Sequence, residues 1–102
     1  MKPVTTRKPW TNDDVDQLLR VYNVFLTAQL QGDAYTKASA VRDLAALQGR
    51  SKGSIECKMM NVSAVLQMHG LDWVKGYKPL SNINRELVSQ VCAFFDIRSE
   101  VA

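Results

Sequence analysis

The chain is 102 residues long, 46% hydrophobic and 23% charged, which fits one folded domain and excludes a disordered tail. Its net charge of +3 is modest, and two cysteines with a single histidine cannot assemble the usual Cys/His zinc clusters. No apolar run approaches the roughly 18 residues of a membrane span, and no apolar stretch follows the basic N-terminus as in a signal peptide, so a cytoplasmic protein with no membrane partner is expected.

Charge is unevenly spread. Residues 1–10 carry Lys2, Arg7 and Lys8 against no acid, and residues 50–85 carry Arg50, Lys52, Lys58, Lys75, Lys78 and Arg85 against Glu56 and Asp72. Residues 11–49 are net acidic, with Asp13, Asp14, Asp16, Asp33 and Asp43 against Arg20, Lys37 and Arg42. Positive charge gathered on the N-terminus and the middle of the chain favours a polyanionic partner.

Residues 1–9 hold prolines, threonines and bases with little to bury and read as a flexible basic arm; residues 10–98 read as a single helical domain. Thr11 is a helix N-cap, with Asp13, Asp14 and Asp16 in the favourable field of the first turn and Trp10 placed to pack back on the helix. Val15, Leu18, Leu19, Tyr22, Phe25, Leu26 and Leu30 recur at spacings of three and four, one stripe of a helix of about five turns that Gly32 stops. Thr36 is placed to cap a second helix of about three turns, with Ala40, Val41, Leu44 and Leu47 inward and Gly49 as its stop.

A short link at 50–53 leads into a third helix over about residues 54–68, capped by Ser51 or Ser54. Around it Ile55, Met59, Val62 and Leu66 fall on one side, with Cys57, Met60, Ala64 and Met68 nearly opposite. Glu56, Ser63 and Gln67 make one polar seam, Lys58 and Asn61 another. A helix apolar on two sides is a central one, exposed chiefly at its first turn. Cys57 and Cys92 are expected as small core residues of a reduced protein. Gly70 ends this helix. A loop with Gly and Pro follows at 71–80, with room for a short strand at Trp73–Val74. Ser81 or Asn82 then caps a last helix with Leu87, Val88, Val91, Phe94 and Phe95 inward, Ile97 closing it and residues 98–102 frayed. The expected fold is all-α: four helices with a helix-turn-helix-like centre.

Catalysis needs a nucleophile or base with an orienting partner, or a metal. His69 stands alone at a helix end, where the dipole favours it, and a helical first turn accounts for Asp13, Asp14 and Asp16. No phosphate-binding glycine motif and no Ser/His/Asp order is present. The sequence is therefore read as that of a non-enzyme, with no cofactor and no metal. The binding signal has three parts. Residues 44–55 read as helix, short turn, helix, with Arg50, Ser51, Lys52, Ser54 and Lys58 around a helix N-terminus suited to phosphate. The arm carries Arg7 and Lys8. The later loop combines Lys75, Tyr77 and Lys78, a cation and aromatic set suited to phosphate or an exposed base.

Two resemblances follow from these residues. Lys8-Pro9-Trp10-Thr11 with Asp14, Leu18 and Tyr22, then Leu47, Gly49-Arg50-Ser51 and Ser54-Ile55, resembles the Myb/SANT helix-turn-helix pattern. Gly49-Arg50-Ser51 with Ser54-Ile55-Glu56, Lys58, Asn61 to Leu66, Gly70, Gly76-Tyr77-Lys78-Pro79 and Asn82 resembles a small helical domain at the front of bacterial HNH endonucleases and other restriction-like defence proteins. The second resemblance covers almost the entire chain. It implies a DNA-targeting module, with sensing of modified bases as one form of that role, working beside a nuclease domain. No HNH residues are present, so a nuclease would lie beyond residue 102 or on another protein. Carried over by position, the matching residues are Arg50, Ser51, Ser54, Glu56, Lys58, Asn61, Tyr77 and Lys78, with Asn61 able either to touch a base or to tie down the Gly76–Pro79 loop.

The expectation is a duplex-DNA-binding module with Arg50, Lys52 and Lys58 on phosphate. Charge reversal at Arg50 or Lys52 is expected to abolish binding at nearly unchanged thermal stability. The alternative is a protein-interaction or dimerisation domain.

Overall fold

A computed structural model describes residues 9–97 as four α-helices: α1 (Asn12–Gln31), α2 (Lys37–Gln48), α3 (Lys52–Met68) and α4 (Arg85–Phe94). No strand occurs among the described residues, and the domain is all-α. Arg7 and Lys8 of the arm, and residues 98–102, lie outside the described residues. The helices α1 and α3 each touch all three others, whereas α2 and α4 do not meet. The molecule is thus a central α1–α3 pair flanked by α2 and α4.

Local signals set the helix ends. Thr11 caps α1 through a reciprocal capping box with Asp14, and Gly32 closes it. Gly49 closes α2 at φ 67°, a left-handed conformation that puts its N–H on Ala45 and Ala46 carbonyls at little steric cost. Ser51 then caps α3, its hydroxyl accepting from the Ser54 amide at 3.1 Å. Only Gly49, Arg50 and Ser51 therefore separate α2 from α3, and α3 begins at Lys52, two residues earlier than expected. Thr36 occupies the cap position of α2 but makes no side-chain cap bond. The last helix is capped by Asn84, not Ser81 or Asn82. The chain is still tied to α3 at Leu80, whose N–H donates to the Met60 carbonyl, and Ile83 packs on the core before α4 can begin.

Burial follows the expected stripes with three corrections. Val15, Leu18, Leu19, Tyr22, Phe25 and Leu26 of α1 are buried, but Leu30 is exposed because Gln29, not Leu30, meets the loop beyond α3. In α2 it is Val41, Leu44, Ala45 and Gln48 that face inward, leaving Leu47 exposed. In α3 every side chain from Asn61 to Leu66 is buried, but Cys57 and Met68 at its ends are exposed, so the second apolar side is covered only in its middle. Cys92 is half-buried, and both cysteines are free thiols.

The segment Trp73–Lys75 is not a strand: it runs into a turn at Lys75–Gly76, and side chains of α1 take its backbone bonds. Gln29 donates Nε2–H to the Trp73 carbonyl (3.0 Å) and accepts from the Lys75 amide (2.9 Å), while the Val74 amide donates to the Tyr22 hydroxyl (2.9 Å). Buried backbone groups must be satisfied somewhere; here a helix face does what a neighbouring strand would otherwise do.

Candidate nucleic-acid interface

The turn between α2 and α3 is where the sequence placed its strongest phosphate contact, and the structure gives that side chain another task. The side chain of Arg50 is only 3% exposed. One guanidinium nitrogen donates to Asp14 Oδ2 (2.6 Å) and to the Pro9 carbonyl (2.9 Å), and Nε donates to Gln48 Oε1 (3.1 Å). Its Cζ lies over the Trp10 ring, 3.8 Å from the centroid. Gln48, itself buried, spends its amide hydrogens on the Asp14 carbonyl and Gln17 Oε1, both at 2.9 Å. Arg50 is therefore the clasp that fastens the root of the arm and the first turn of α1 to the α2–α3 turn. The expectation that its charge can be reversed at unchanged stability is corrected: the guanidinium is committed to the fold.

Asp14 uses one carboxylate oxygen for both the Thr11 amide of the capping box and Arg50. Burial pushes its pKa up, but the hydrogen bonds from Arg50 and Thr11 outweigh it and hold the carboxyl below its usual range. A carboxyl depressed in the folded state contributes stability that is complete above its unfolded pKa of about 3.9 and is lost as pH falls through the folded value. In a melting-temperature profile against pH, Asp14→Asn is expected to lie below wild type above about pH 4 and to converge with it toward the acid end. Parallel profiles would show that the pair does not titrate with folding.

Around this clasp the first two turns of α3 carry the remaining candidates. Ser51 and Lys52 are exposed, Ser54 is half-buried, and Lys58 is half-buried with Nζ 5.1 Å from the Trp10 centroid. Burial lowers the Lys58 pKa, with a smaller upward pull from Cys57 and a further push down from Arg50. Pro9 is held against Arg50, and Lys8 and Arg7 precede it in the sequence by one and two residues.

Lys52 lies on a different edge of α3, about 120° round the helix from Lys58. There it shares an open groove of about 330 Å³ with Glu56 and Met60 of α3, Lys37 and Ala38 of α2, and Gly76 and Tyr77 of the loop. The Lys37 ammonium sits 4.7 Å from the Tyr77 ring centroid. It also lies against Gly76, where a Cβ would overlap it, so a glycine at 76 makes room for a cation rather than for an unusual backbone.

The loop residues divide. Tyr77 is 5% exposed, its ring centroid 6.4 Å from those of Tyr22 and Phe25, and so it cannot stack on a base as expected. Lys75 is exposed and lies over Trp73 at 5.4 Å, and Lys78 is exposed. Asn61 is buried and donates to the Leu80 carbonyl at 2.7 Å, which settles its two readings in favour of tying down the loop. His69 is the C-cap residue of α3, its Nδ1 2.9 Å from the Val65 carbonyl and its Nε2 3.8 Å from Cys92 Sγ. No cluster of three or more metal-ligating side chains, and no helix long and apolar enough to cross a membrane, occurs among the described residues.

Sequence reasoning missed Gln48 and Lys37. Gln48 had a signal, a polar residue four beyond Leu44 on the buried stripe; Lys37 had only its place as first residue of a helix, where a cation opposes the dipole. No protein-family model, curated protein or solved structure matches the chain.

Proposed function

We propose that this domain is a DNA-binding module that meets duplex DNA with the first two turns of α3, in a helix-turn-helix-like arrangement with α2. The observation that carries this reading is the clasp. By holding Pro9 and Trp10 beside the start of α3, Arg50 brings the residues that follow Arg7 and Lys8 in the sequence next to Lys58, with Ser51 and Ser54 on the same two turns and Lys52 on the neighbouring edge. Arg50 itself serves as a positioning residue, Asn61 and Tyr77 support the loop, and Lys75 and Lys78 supply outlying charge. The resemblance to domains at the front of HNH endonucleases supports a targeting role beside a nuclease domain or protein, with modified bases among the candidate targets.

The test is fluorescence anisotropy with single-stranded, duplex, methylated and hydroxymethylated DNA at several salt concentrations. Duplex affinity is expected to fall linearly in log–log form with salt, and Lys52→Gln to reduce that slope by about 1. Absence of binding to every probe at low salt would overturn the proposal. A second reading, a protein-interaction module, draws on an apolar groove of about 310 Å³ between α1 and α4 lined by Val15, Leu19, Ala93 and Phe94. It predicts a concentration-dependent molecular size and no salt-sensitive DNA binding.

A further inference from the structure

The groove between α2, α3 and the 76–77 loop has features that its role in the fold does not explain. Lys37, Lys52 and Glu56 all line it, yet none of the three makes an ion pair among the described residues, although Lys52 and Glu56 are spaced i, i+4 on one helix. The two helices that begin here, α2 and α3, each open on a lysine and have no acid in the first turn, whereas α1 and α4 carry Asp13, Asp14 and Glu86 there. Positive potential from helix termini and ammonium groups on this side of the domain is thus opposed, among the residues lining the groove, by Glu56 alone.

Tyr77 provides the independent observation. Its side chain is more than nine-tenths buried, yet its hydroxyl makes no hydrogen bond among the described residues. Among the described residues no fully enclosed side-chain polar atom lacks a partner, so this hydroxyl is within reach of solvent, at a residue that lines the groove. Burial first, and then the Glu56 carboxylate, raise its pKa to about 12, which keeps the hydroxyl a neutral donor. A hydroxyl on a buried ring that meets only solvent can turn its hydrogen to an anionic oxygen without breaking a bond within the domain.

We propose that the groove binds one nucleotide, its phosphate held by Lys37, Lys52 and the Tyr77 hydroxyl and an amino-bearing base edge read by Glu56. The carboxylate is the reason for a nucleotide over a bare anion. It repels phosphate, and its place in the groove is accounted for by a ligand that also donates a hydrogen bond, as the exocyclic amines of adenine, cytosine and guanine do. A volume of about 330 Å³ lies within the range of small-ligand clefts. The ligand class rests on the DNA-binding reading; the site itself does not.

The experiment is an NMR titration of the full chain with dCMP, dTMP, deoxycytidine and inorganic phosphate, alongside 5′-phosphorylated and unphosphorylated oligonucleotides. The expected result is saturable binding of dCMP that moves the amides of residues 52–54 and 76–77, weaker binding of dTMP, and none of deoxycytidine. Tyr77→Phe is expected to weaken dCMP about tenfold at an unchanged melting temperature, because the lost hydroxyl has no partner within the domain. Gly76→Ala, which displaces the Lys37 ammonium, should weaken it as Lys37→Gln does. Glu56→Gln should erase the preference for dCMP over dTMP. Equal affinity for inorganic phosphate and dCMP, or indifference to Tyr77→Phe and Lys37→Gln, would overturn the proposal. Duplex binding with no mononucleotide binding sinks this site and leaves the DNA-binding module standing; mononucleotide binding with no binding of any oligonucleotide does the reverse.

Discussion

Arg50→Ala is expected to cost about 3 kcal/mol of stability and to lower the melting temperature by roughly 12–24 °C. The size follows from what the guanidinium leaves behind. Removing one partner of a buried ion pair strands the other charge, and here it also strips a hydrogen bond from Gln48, one from the Pro9 carbonyl and the stacking face of Trp10. The Asp14 side chain is 17% exposed, which lets water relieve part of the penalty and places the estimate at the low end of the range for such pairs. Arg50→Lys should recover little, because one ammonium cannot reach Asp14, Pro9 and Gln48 together while keeping the contact over the indole. A double-mutant cycle with Asp14→Asn separates the pair from the packing. The result against this account is a variant melting within about 2 °C of wild type but with DNA binding lost, which would return Arg50 to the phosphate-contact role.

The same residue shows where sequence reasoning stops. Thr11, Gly32, Gly49 and Ser51 were legible because a cap or stop acts on backbone groups a few residues away, and the stripes of α1 and α3 were legible because burial has a period. Arg50 was legible only as a cation in a turn. Its partner Asp14 lies 36 residues earlier, and nothing local distinguishes an arginine that faces phosphate from one that faces a carboxylate. The groove has the same character. Lys37, Lys52 and Tyr77 belong to three segments that only the tertiary fold brings together, so the loop's lysines drew attention while Lys37 did not. The error at α4 was also non-local: Ser81, Asn82 and Asn84 are all competent caps, and it is the tether of Leu80 to Met60 and Asn61 that delays the helix to the last of them.

The Arg50 clasp and the Tyr22 junction divide the work of positioning the surface. The clasp fixes the arm's root to one edge of α3. On the other edge, the loop that carries Gly76 and Tyr77 has no secondary structure of its own and is fixed by α1, through Gln29 and the Tyr22 hydroxyl. Both devices spend polar side chains of α1 on segments distant in sequence.

Tyr22→Phe tests the second device and is expected to cost about 2 kcal/mol. The residue is fully buried, and its hydroxyl both shares a 2.6 Å hydrogen bond with Ser63 Oγ and accepts from the Val74 amide at 2.9 Å. Burial raises the Tyr22 pKa against the opposing pull of those two bonds, so the group stays neutral and its loss is a loss of hydrogen bonds, not of charge. Phenylalanine fills the same space but leaves the Ser63 hydroxyl and the Val74 N–H without a partner where no water reaches, which is the costly side of hydrogen-bond deletion. Ser63→Ala alone should cost less, since the Tyr22 hydroxyl keeps Val74. Added to Tyr22→Phe, it should cost nothing further or restore some stability, because one of the two stranded groups is then gone. Hydrogen exchange adds a local readout: the Val74 and Tyr77 amides should exchange faster in Tyr22→Phe than the global destabilisation requires, because the loop has lost its hold on α1. A stability change under about 0.5 kcal/mol, with loop exchange unaltered, would mean that the loop is held by Gln29 and packing alone.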